Sequence, residues 1–367
     1  MKVLTALGTR PEIIRLSRVI EKLDGLCDHK LVHTGQNFDP NLSDVFFRDL
    51  GVRPPDYHLG ARGETFGEEI GQILPAFDSV LHHERPDAFL VLGDTNSGLC
   101  SILAKRLGIP VYHMEAGNRC YDDRVPEEVN RRIIDHSSDI LMPYTHRSKE
   151  NLRREGIGND RIFVIGNPIF EVLEHYKTPI RASSVLARLA LEPGKYFLVT
   201  MHRAENVDVK ERLQQLTGAL ERLSEEYGYP AICSLHPRTR SKMEQYGISL
   251  KDERVSFLVP LGFFDFVALE KAAYCVLSDS GTVQEETCIF GVPNVTIRDV
   301  TERPETIECG SNILSGVEPD AILSCVRIVT CRRATWTPPP EYLEPNVSDK
   351  VIRIVLGYSH WRAPWGR

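Results

Sequence analysis

Carboxylate side chains end two short apolar runs in the first third of the chain. Asp94 ends "FLVLGD" (89–94), and Glu115 ends "VYHME" (111–115). A carboxylate at the carboxyl end of a buried strand is partly desolvated, which raises its pKa, and two such groups close together separate into an acid and a base. The pair predicts general acid–base chemistry, although a loop-capping aspartate is an ordinary explanation of Asp94 alone.

A dense charged segment, "MEAGNRCYDDRVPEEVNRR" (114–132), overlaps the second of these runs. A solvated loop is the ordinary explanation of such a cluster. Pro126 and Glu127 open the next helix, and we expect the loop to fold Glu127 back toward the strand ends. We interpret Glu128 instead as a helix-start charge that offsets the helix dipole.

The motif "LGTRPEIIR" (7–15) predicts an anion site at a helix start. Thr9 and Glu12 have the spacing of a capping box, and the start of a helix presents free N–H groups and positive dipole character. Arg10 and Arg15 add cationic charge beside it. The alternative is an ordinary capped helix with solvated arginines.

The second half of the chain repeats this arrangement in "LSDSGTVQEE" (277–286). A strand gives way to a helix whose first donors lie around Ser280–Thr282, where a phosphate could bind. Glu286 lies one helical turn further on and could accept hydrogen bonds from ribose hydroxyls. Two such helix starts, one per domain, suggest a diphosphate bound across a cleft.

A histidine and an arginine follow another strand in "VTMHRAEN" (199–206). A lone histidine is more often structural than catalytic. His202 and Arg203 stand at the end of a predicted strand of the second domain, and because His202 faces the predicted cleft, we predict that it contacts the phosphates.

Short apolar runs rich in β-branched residues alternate with amphipathic stretches, such as 11–23 and 65–82, which predicts βαβ units and parallel, doubly wound sheets. The predicted strands of the first half are 2–8, 29–35, 88–93, 111–115, 140–144 and 162–165. Those of the second half are 195–202, 231–237, 255–260, 275–280 and 293–299.

The pattern breaks near 168–180, where we place a linker, and again at the proline-rich "TPPPEYLEP" (337–345), which precedes a final helix over 347–358. These breaks predict an α/β protein with two domains, 1–168 and 169–345, and a C-terminal helix in 346–367. A length of 367 residues also favours two domains. Two facing sheets of this kind leave a ligand cleft at the carboxyl ends of their strands.

Composition excludes several classes of protein. A net charge of −7 gives no global basic field for nucleic acid. The nine cysteines contain no C-x-x-C pair, and neither they nor the twelve histidines have zinc-ligand spacing, so we expect no metal site. No signal peptide precedes "MKVLTALG" and no apolar run is long enough to span a bilayer, which predicts a reduced, cytoplasmic protein with no membrane contact.

Seven motifs, in this order, resemble those of the non-hydrolysing UDP-N-acetylglucosamine 2-epimerases: "GTRPEIIR", "GDT", "EAGNR", "PEEVNR", "HRAEN", "SDSGTVQEE" and "TERPE". The resemblance covers nearly the whole chain. It implies two Rossmann-like domains in a glycosyltransferase-B arrangement, with the ligand in the interdomain cleft, the C-terminal helix returning to the first domain, and a homodimer. It also implies interconversion of UDP-GlcNAc and UDP-ManNAc without a cofactor, by elimination of UDP to a 2-acetamidoglycal and re-addition after protonation on the other face.

The resemblance assigns roles to residues by motif, and it makes the charged segment 114–132 the active-site loop. The implied catalytic residues are Asp94, Glu115, Glu127, Asp122 and His202. The implied substrate-binding residues are Arg10, Arg15, Arg203, Phe266, Ser280, Gly281, Glu286 and Arg303. Of these, His202 supports the departing pyrophosphate, Phe266 lies near the uracil, and Glu286 binds the ribose.

Three features depart from the family's usual pattern. Thr282 replaces a glycine in the phosphate turn, Arg15 replaces a more usual lysine, and the loop between Glu115 and Pro126 is shorter. The segment "TGQNFD" (34–39) replaces one that contributes to allosteric binding of UDP-GlcNAc in some bacterial members, so this regulation is not expected.

The loop also resembles the branch that epimerises a 6-deoxy-L-talose nucleotide sugar to UDP-N-acetyl-L-fucosamine, which is the alternative substrate assignment. A UDP-sugar glycosyltransferase of the same fold is the rival from another reaction class, and it would need an acceptor surface. A non-catalytic UDP-sugar sensor is the third alternative, but a binding protein has no use for three desolvated acids around an anion.

Overall fold

The computed structural model describes residues 1–35, 40–63, 65–235, 237–250, 252–331 and 335–358. The chain forms two compact units, each with one six-stranded sheet. The first unit contains Met1–Glu174 and Glu341–Arg367, and the second contains His175–Pro340. Within the described residues, no helix is both long enough and apolar enough to cross a membrane.

The sheet of the first unit is parallel throughout. Its strands are β1 (Lys2–Leu7), β2 (Asp28–His33), β3 (Tyr57–His58), β4 (Ala88–Leu92), β5 (Val111–Met114) and β6 (Ile140–Met142). Their spatial order is β3-β2-β1-β4-β5-β6, the order of a doubly wound nucleotide-binding fold.

Helices connect these strands. They are α1 (Arg10–Leu26), α2 (Pro40–Asp49), α3 (Phe66–Glu84), α4 (Ser101–Arg106), α5 (Pro126–Ser137), α6 (His146–Arg154) and α7 (Ile169–His175). Short 3₁₀ turns occupy Asn96–Cys100 and Asn159–Arg161.

The second unit repeats the architecture. Its parallel strands are β7 (Phe197–Met201), β8 (Ala231–Leu235), β9 (Val255–Leu258), β10 (Cys275–Ser278), β11 (Asn294–Thr296) and β12 (Asn312–Leu314), in the spatial order β12-β11-β10-β7-β8-β9. Its helices are α8 (Lys177–Arg181), α9 (Val185–Arg188), α10 (Ala204–Val207), α11 (Lys210–Tyr227), α12 (Pro237–Tyr246), α13 (Phe263–Ala272), α14 (Gly281–Phe290), α15 (Pro304–Glu308) and α16 (Pro319–Thr330).

The last part of the chain belongs to the first unit. A 3₁₀ turn at Pro340–Leu343 leads to α17 (Val347–Gly357), which packs against α1. Lys22 Nζ donates to Asp349 across this contact at 2.6 Å.

The apolar strands are buried on both faces of each sheet, as expected for parallel sheets covered by helices. Along β7, Phe197, Val199 and Met201 belong to one buried cluster, which includes residues of α11 and α16. Leu198 belongs to a second cluster, which includes residues of α13 and α14. This alternation explains why the strand has no polar face, and it confirms the predicted doubly wound sheets.

Three predictions about local structure were wrong or incomplete. The predicted strand over 162–165 is not a strand, because only Ile162 forms an isolated parallel bridge to Leu141 at the sheet edge. The edge strands β3 and β12 were not predicted, since two and three residues are too few to show a period. The boundary between the two units, after Glu174, lies within the predicted linker 168–180, but that segment also contains α7 and most of α8, which were not predicted.

The strand order reverses between β1 and β4 in the first unit, and between β7 and β10 in the second. Ligands of open α/β sheets bind at the carboxyl ends of strands at such reversals. In each unit the chemistry-bearing motifs follow these strands: Arg10 after β1, Asp94 after β4, His202 after β7 and Ser280 after β10.

Candidate active site

Asp94 and Glu115 lie at the carboxyl ends of neighbouring strands, as predicted. β4 and β5 pair in register up to Leu92 and Met114, and each carboxylate follows within two residues. Glu115 has a left-handed backbone with φ of 67°, and its side chain is only 8% exposed. A non-glycine residue in this region is strained, and such strain tends to occur at functional sites.

Each of these carboxylates contacts an arginine of the same unit. Arg131 Nε donates to Asp94 at 2.8 Å, and Arg131 Nη2 lies 2.7 Å from the same oxygen. Arg15 Nη1 donates to Glu115, and Asn118 Nδ2 donates to the other oxygen of Glu115 at 3.2 Å. The sequence analysis predicted the positions of the two carboxylates but not these arginine partners. Each of the two acids is held in a defined orientation by its own arginine.

Glu128 lies in the first turn of α5, as predicted, but it is buried and makes contacts that a helix-start charge alone would not require. Its carboxylate accepts hydrogen bonds from the backbone N–H of Cys120 at 3.0 Å, from that of Tyr121 at 3.1 Å, and from Arg131 Nη1 at 2.9 Å. Although burial opposes it, these donors lower the pKa of Glu128. Arg131 thus contacts Glu128 on one side and Asp94 on the other, and Glu128 fixes the path of the loop.

Two further acids of the loop, Glu127 and Asp122, are more accessible than Glu128. Glu127 is half-buried in the first turn of α5, beside Glu128. Asp122 accepts from the backbone N–H of Arg124 at 3.0 Å and from its guanidinium Nη2 at 2.6 Å. These contacts of Asp122 are local, and they shape the turn before α5.

A buried network lies behind the loop, and the sequence did not indicate it. His113 places one ring nitrogen 2.9 Å from Asp135 and the other 2.9 Å from the carbonyl of Gly93. Asp135 also accepts from the backbone N–H of Gly117 at 3.1 Å and contacts Arg119 Nη2 at 2.7 Å. Burial opposes it, but His113 and Arg119 lower the pKa of Asp135. The network connects the turn before Asp94 to the turn after Glu115.

The predicted capping box at the start of α1 is confirmed. Glu12 accepts from the backbone N–H of Gly8 at 3.0 Å and of Thr9 at 2.8 Å. It also accepts from the hydroxyl of Thr95, the residue after Asp94, at 2.9 Å. Burial raises the pKa of Glu12 to about 7, against the lowering effect of these donors.

Arg10 stands at the first position of α1. Its guanidinium lies 5.8 Å from the centroid of the Phe46 ring, and burial lowers its pKa. Within the described part of the chain, no carboxylate contacts it. A half-buried cation at a helix start is a suitable group for an anionic ligand. Residues 36–39, most of the segment in which the family's allosteric residues were considered, lie outside the described residues.

His202 is fixed by Asp279, a residue to which the sequence analysis gave no role. His202 Nδ1 lies 3.0 Å from Asp279, which also accepts from the backbone N–H groups of His202 at 2.9 Å and Arg203 at 3.0 Å. Burial would raise the pKa of Asp279, but His202 and these N–H groups bring it well below its usual range. The imidazole is 39% exposed, so its other side is accessible.

Ser280 caps α14, and Gly281 is its first residue. A Cβ atom on Gly281 would lie 2.7 Å from Glu302 Oε1, so a side chain there would displace the Glu302 carboxylate, whereas Arg303 Cζ at 3.6 Å is at an ordinary contact distance. Arg303 donates to Glu285, and Arg203 Nη2 lies 3.6 Å from Glu302. The two predicted arginines therefore lie at this helix start, but acidic side chains accompany them.

Phe266 on α13 is half-buried, and Glu286 on α14 is almost fully buried.

Glu270 is a fully buried carboxyl one helical turn after Phe266, and the neighbouring ionisable group is Glu286. Burial and the Glu286 carboxyl raise the pKa of Glu270 well above its usual value. Burial and a neighbouring carboxyl group both favour the protonated form of Glu270. Only its place in the apolar run "FVALEKA" could have indicated Glu270.

The contacts of Glu128 predict a stability effect. Glu128→Gln replaces one acceptor oxygen by an NH₂ group that faces N–H donors, and we expect it to lower the free energy of unfolding by about 1–3 kcal/mol. Asp123→Asn in the same loop is the control, because that side chain is 68% exposed. Urea unfolding followed by circular dichroism measures both, and equal midpoints for the two variants would refute the structural role of Glu128.

The buried proton of Glu270 predicts a pH dependence. The folded protein binds a proton that the unfolded chain releases above its ordinary glutamate pKa of 4.5, so folded-state stability falls as the pH rises. Glu270→Gln removes this term, and its stability relative to the wild type should increase by about 1.4 kcal/mol per pH unit until the folded pKa is reached. Unfolding curves from pH 5 to 8 test this, with the exposed Glu253→Gln as control; parallel pH profiles for wild type and Glu270→Gln would contradict it.

Comparison with known proteins agrees with this geometry. The family model described as UDP-N-acetylglucosamine 2-epimerase matches residues 21–356. The UDP-N-acetylglucosamine 2-epimerase of Methanocaldococcus jannaschii is 39% identical over 363 residues, 97% of this chain and 99% of that protein. The UDP-2,3-diacetamido-2,3-dideoxy-D-glucuronate 2-epimerase of Pseudomonas aeruginosa is also 39% identical, over 332 residues, 89% of this chain and 92% of that protein.

The fold of a solved relative is the same over almost the whole chain. The crystal structure of the M. jannaschii UDP-GlcNAc 2-epimerase in complex with UDP-GlcNAc and UDP superposes with a TM-score of 0.93, covering 98% of this chain and 100% of that one. The order of the motifs, the two doubly wound sheets and these relatives lead to one conclusion: the chain belongs to the UDP-N-acetylglucosamine 2-epimerase family and is an isomerase.

Proposed function

We propose that the chain interconverts UDP-GlcNAc and UDP-ManNAc, inverting the configuration at C2 of the sugar. The observation that carries this proposal is the pair of strand-end acids in the first unit, each oriented by an arginine: Asp94 by Arg131 and Glu115 by Arg15. A binding protein or a simple nucleotide carrier does not need two such acids. A reaction that moves a proton onto and off a carbon atom needs both.

The chemistry explains why leaving-group departure must accompany proton transfer. The C2 proton is not adjacent to a carbonyl group, so its removal alone leaves an electron pair with no acceptor. In our proposal an active-site carboxylate removes this proton, the electron pair forms the C1–C2 double bond, and the C1–O bond breaks to release UDP. A second acid protonates C2 of the resulting 2-acetamidoglycal on the opposite face, and UDP adds back at C1.

We assign proton transfer to Asp94, Glu115 and Glu127. Arg15 orients Glu115, and Arg131 orients Asp94. Glu128, which contacts backbone N–H groups of the loop, positions the loop and does not act on the substrate. Asp122 shapes the same loop through Arg124.

We assign UDP recognition mainly to the second unit. Asp279 contacts Nδ1 of His202, so Nε2 is the nitrogen available to the phosphates. The N–H groups at the start of α14, after Ser280, suit a phosphate oxygen, and Gly281 permits a close approach. Phe266 provides a surface for the uracil ring, and Glu286 provides an acceptor for the ribose hydroxyls. In the first unit, Arg10 is the cation that we expect on the diphosphate.

These assignments separate catalysis from UDP binding. We expect Glu115→Gln, Glu127→Gln and Asp94→Asn to reduce turnover by about 10²–10⁴-fold, the usual cost of losing a general acid or base. UDP affinity, measured by titration calorimetry, should change little in all three variants. Asp123→Asn is the control within the same loop. Full turnover in Glu115→Gln or Glu127→Gln would refute the assignment.

The identity of the sugar is a separate question, because the relative from P. aeruginosa has a different named substrate and the same percentage identity as the M. jannaschii enzyme, although over fewer residues. Uracil, ribose and diphosphate contacts lie on other motifs than the loop 114–132, so UDP recognition should persist with any of these sugars. We propose UDP-GlcNAc as the substrate, with the 6-deoxy-L-talose and the diacetamido-glucuronate nucleotide sugars as alternatives.

Proton NMR of purified enzyme with each of the three UDP-sugars, supplied singly, tests the proposed function. We expect a C2 epimer from UDP-GlcNAc, unchanged by prior dialysis against a chelator or by the absence of added NAD. If kcat/KM for one of the other sugars is more than about tenfold higher than for UDP-GlcNAc, a difference of about 1.4 kcal/mol, that sugar is the substrate and the assignment of UDP-GlcNAc is wrong. No epimer from any UDP-sugar until an acceptor is added would indicate a glycosyltransferase, and binding without reaction would indicate a sensor.

A further inference from the structure

Two thiols approach each other beside the predicted UDP-binding residues. Cys288 Sγ and Cys309 Sγ are 3.6 Å apart. Cys288 lies on α14, two residues after Glu286, and is fully buried. Cys309 caps the end of α15 and is half-buried, between exposed residues on both sides. A small reagent can therefore reach Cys309, whereas Cys288 is buried next to it.

The surroundings of the two sulfurs give them different chemistry. The hydrogen bond between the Cys288 and Cys309 sulfurs lowers the pKa of the Cys309 thiol despite the partial burial of Cys309. The Ser311 hydroxyl also lies 3.4 Å from Cys309 Sγ. A thiolate with some solvent access is the reactive form of cysteine, whereas burial raises the pKa of Cys100, Cys233 and Cys275 and makes them inert.

The same two helices carry groups to which we assign substrate contacts. Arg303 is the N-cap of α15, and its guanidinium donates to Glu285 on α14. Gly281 and Glu286 are on α14 as well. A disulfide has an S–S length of about 2.05 Å, so a bond between these sulfurs would draw the helices together by roughly 1.5 Å where the side chains cannot rotate to meet.

We propose that Cys288 and Cys309 are a peroxide-sensitive thiol pair, which closes to a disulfide and weakens UDP binding. The Cys309 thiolate attacks a hydroperoxide, which is reduced to water or an alcohol, and Cys309 is oxidised to the sulfenic acid. The Cys288 thiol then attacks this sulfur, and the hydroxyl leaves as water with the proton of Cys288. A dithiol reductant reverses the reaction. Weakened UDP binding, unlike the disulfide itself, rests on the function proposed above.

The test compares the full chain before and after treatment with hydrogen peroxide. We expect a mass decrease equal to two hydrogen atoms and one cross-linked peptide pair containing Cys288 and Cys309. Titration calorimetry should show UDP affinity about tenfold lower, since small misplacements of binding groups have effects of at least this size. Dithiothreitol should restore both the mass and the affinity.

Two variants separate this site from general oxidation. Cys309→Ser should form no disulfide and retain its UDP affinity after peroxide, whereas Cys331→Ser, which removes the exposed thiol, should behave as the wild type. No cross-linked peptide in the wild type, or a disulfide that leaves UDP affinity unchanged, would overturn the proposal. If the reduced protein binds no UDP, the proposed function fails, and the cross-linked peptide alone decides whether the thiol pair exists.

Discussion

The arrangement of the proposed catalytic residues in the first unit depends on the guanidinium group of Arg131. It binds Asp94 after β4 and Glu128 in the first turn of α5, and it is almost fully buried. Glu128 in turn accepts from two backbone N–H groups of the loop that follows Glu115. Removing one partner from a buried charged network leaves the others uncompensated. This network therefore fixes the end of β4, the loop after Glu115 and the start of α5 relative to one another.

In each sheet, a buried carboxylate connects the loops that follow the two central strands, between which the strand order reverses. In the first unit, Glu12 accepts from backbone N–H groups of the turn after β1 and from the Thr95 hydroxyl after β4. In the second, Asp279 follows β10 and accepts from backbone N–H groups of the turn after β7. The backbone N–H groups of the turns after β1 and β7 are therefore held by hydrogen bonds to these carboxylates. Side chains that follow them, such as Arg10 and His202, then have defined positions for an anionic ligand.

Much of this architecture could be predicted from the sequence, because parallel strands buried on both faces are continuous apolar runs. The strand ends that carry Asp94, Glu115 and His202 were correctly located for that reason. The short edge strands β3 and β12 could not be predicted, since two and three residues are too few to show a hydrophobic period. The run 162–165 is as apolar as a strand, but only one residue of it bridges to β6.

The partners of the site residues were the least predictable part. The spacing of Glu128 and Arg131 is typical of a helical ion pair, and this signal was available. Nothing local indicates that Arg131 also reaches Asp94, that Arg15 reaches Glu115, or that Asp279 fixes His202. These contacts join residues 37, 100 and 77 positions apart, and only the sheet order brings them together.

Proton exchange at C2 of the sugar tests the central claim most directly. The enzyme is incubated with UDP-GlcNAc in deuterium oxide, and the C2 position of recovered UDP-GlcNAc and of its epimer is followed by proton NMR. We expect deuterium at C2, with free UDP and the 2-acetamidoglycal appearing on long incubation. Epimer formed with its C2 proton retained would contradict both the elimination of UDP and proton transfer by the active-site carboxylates.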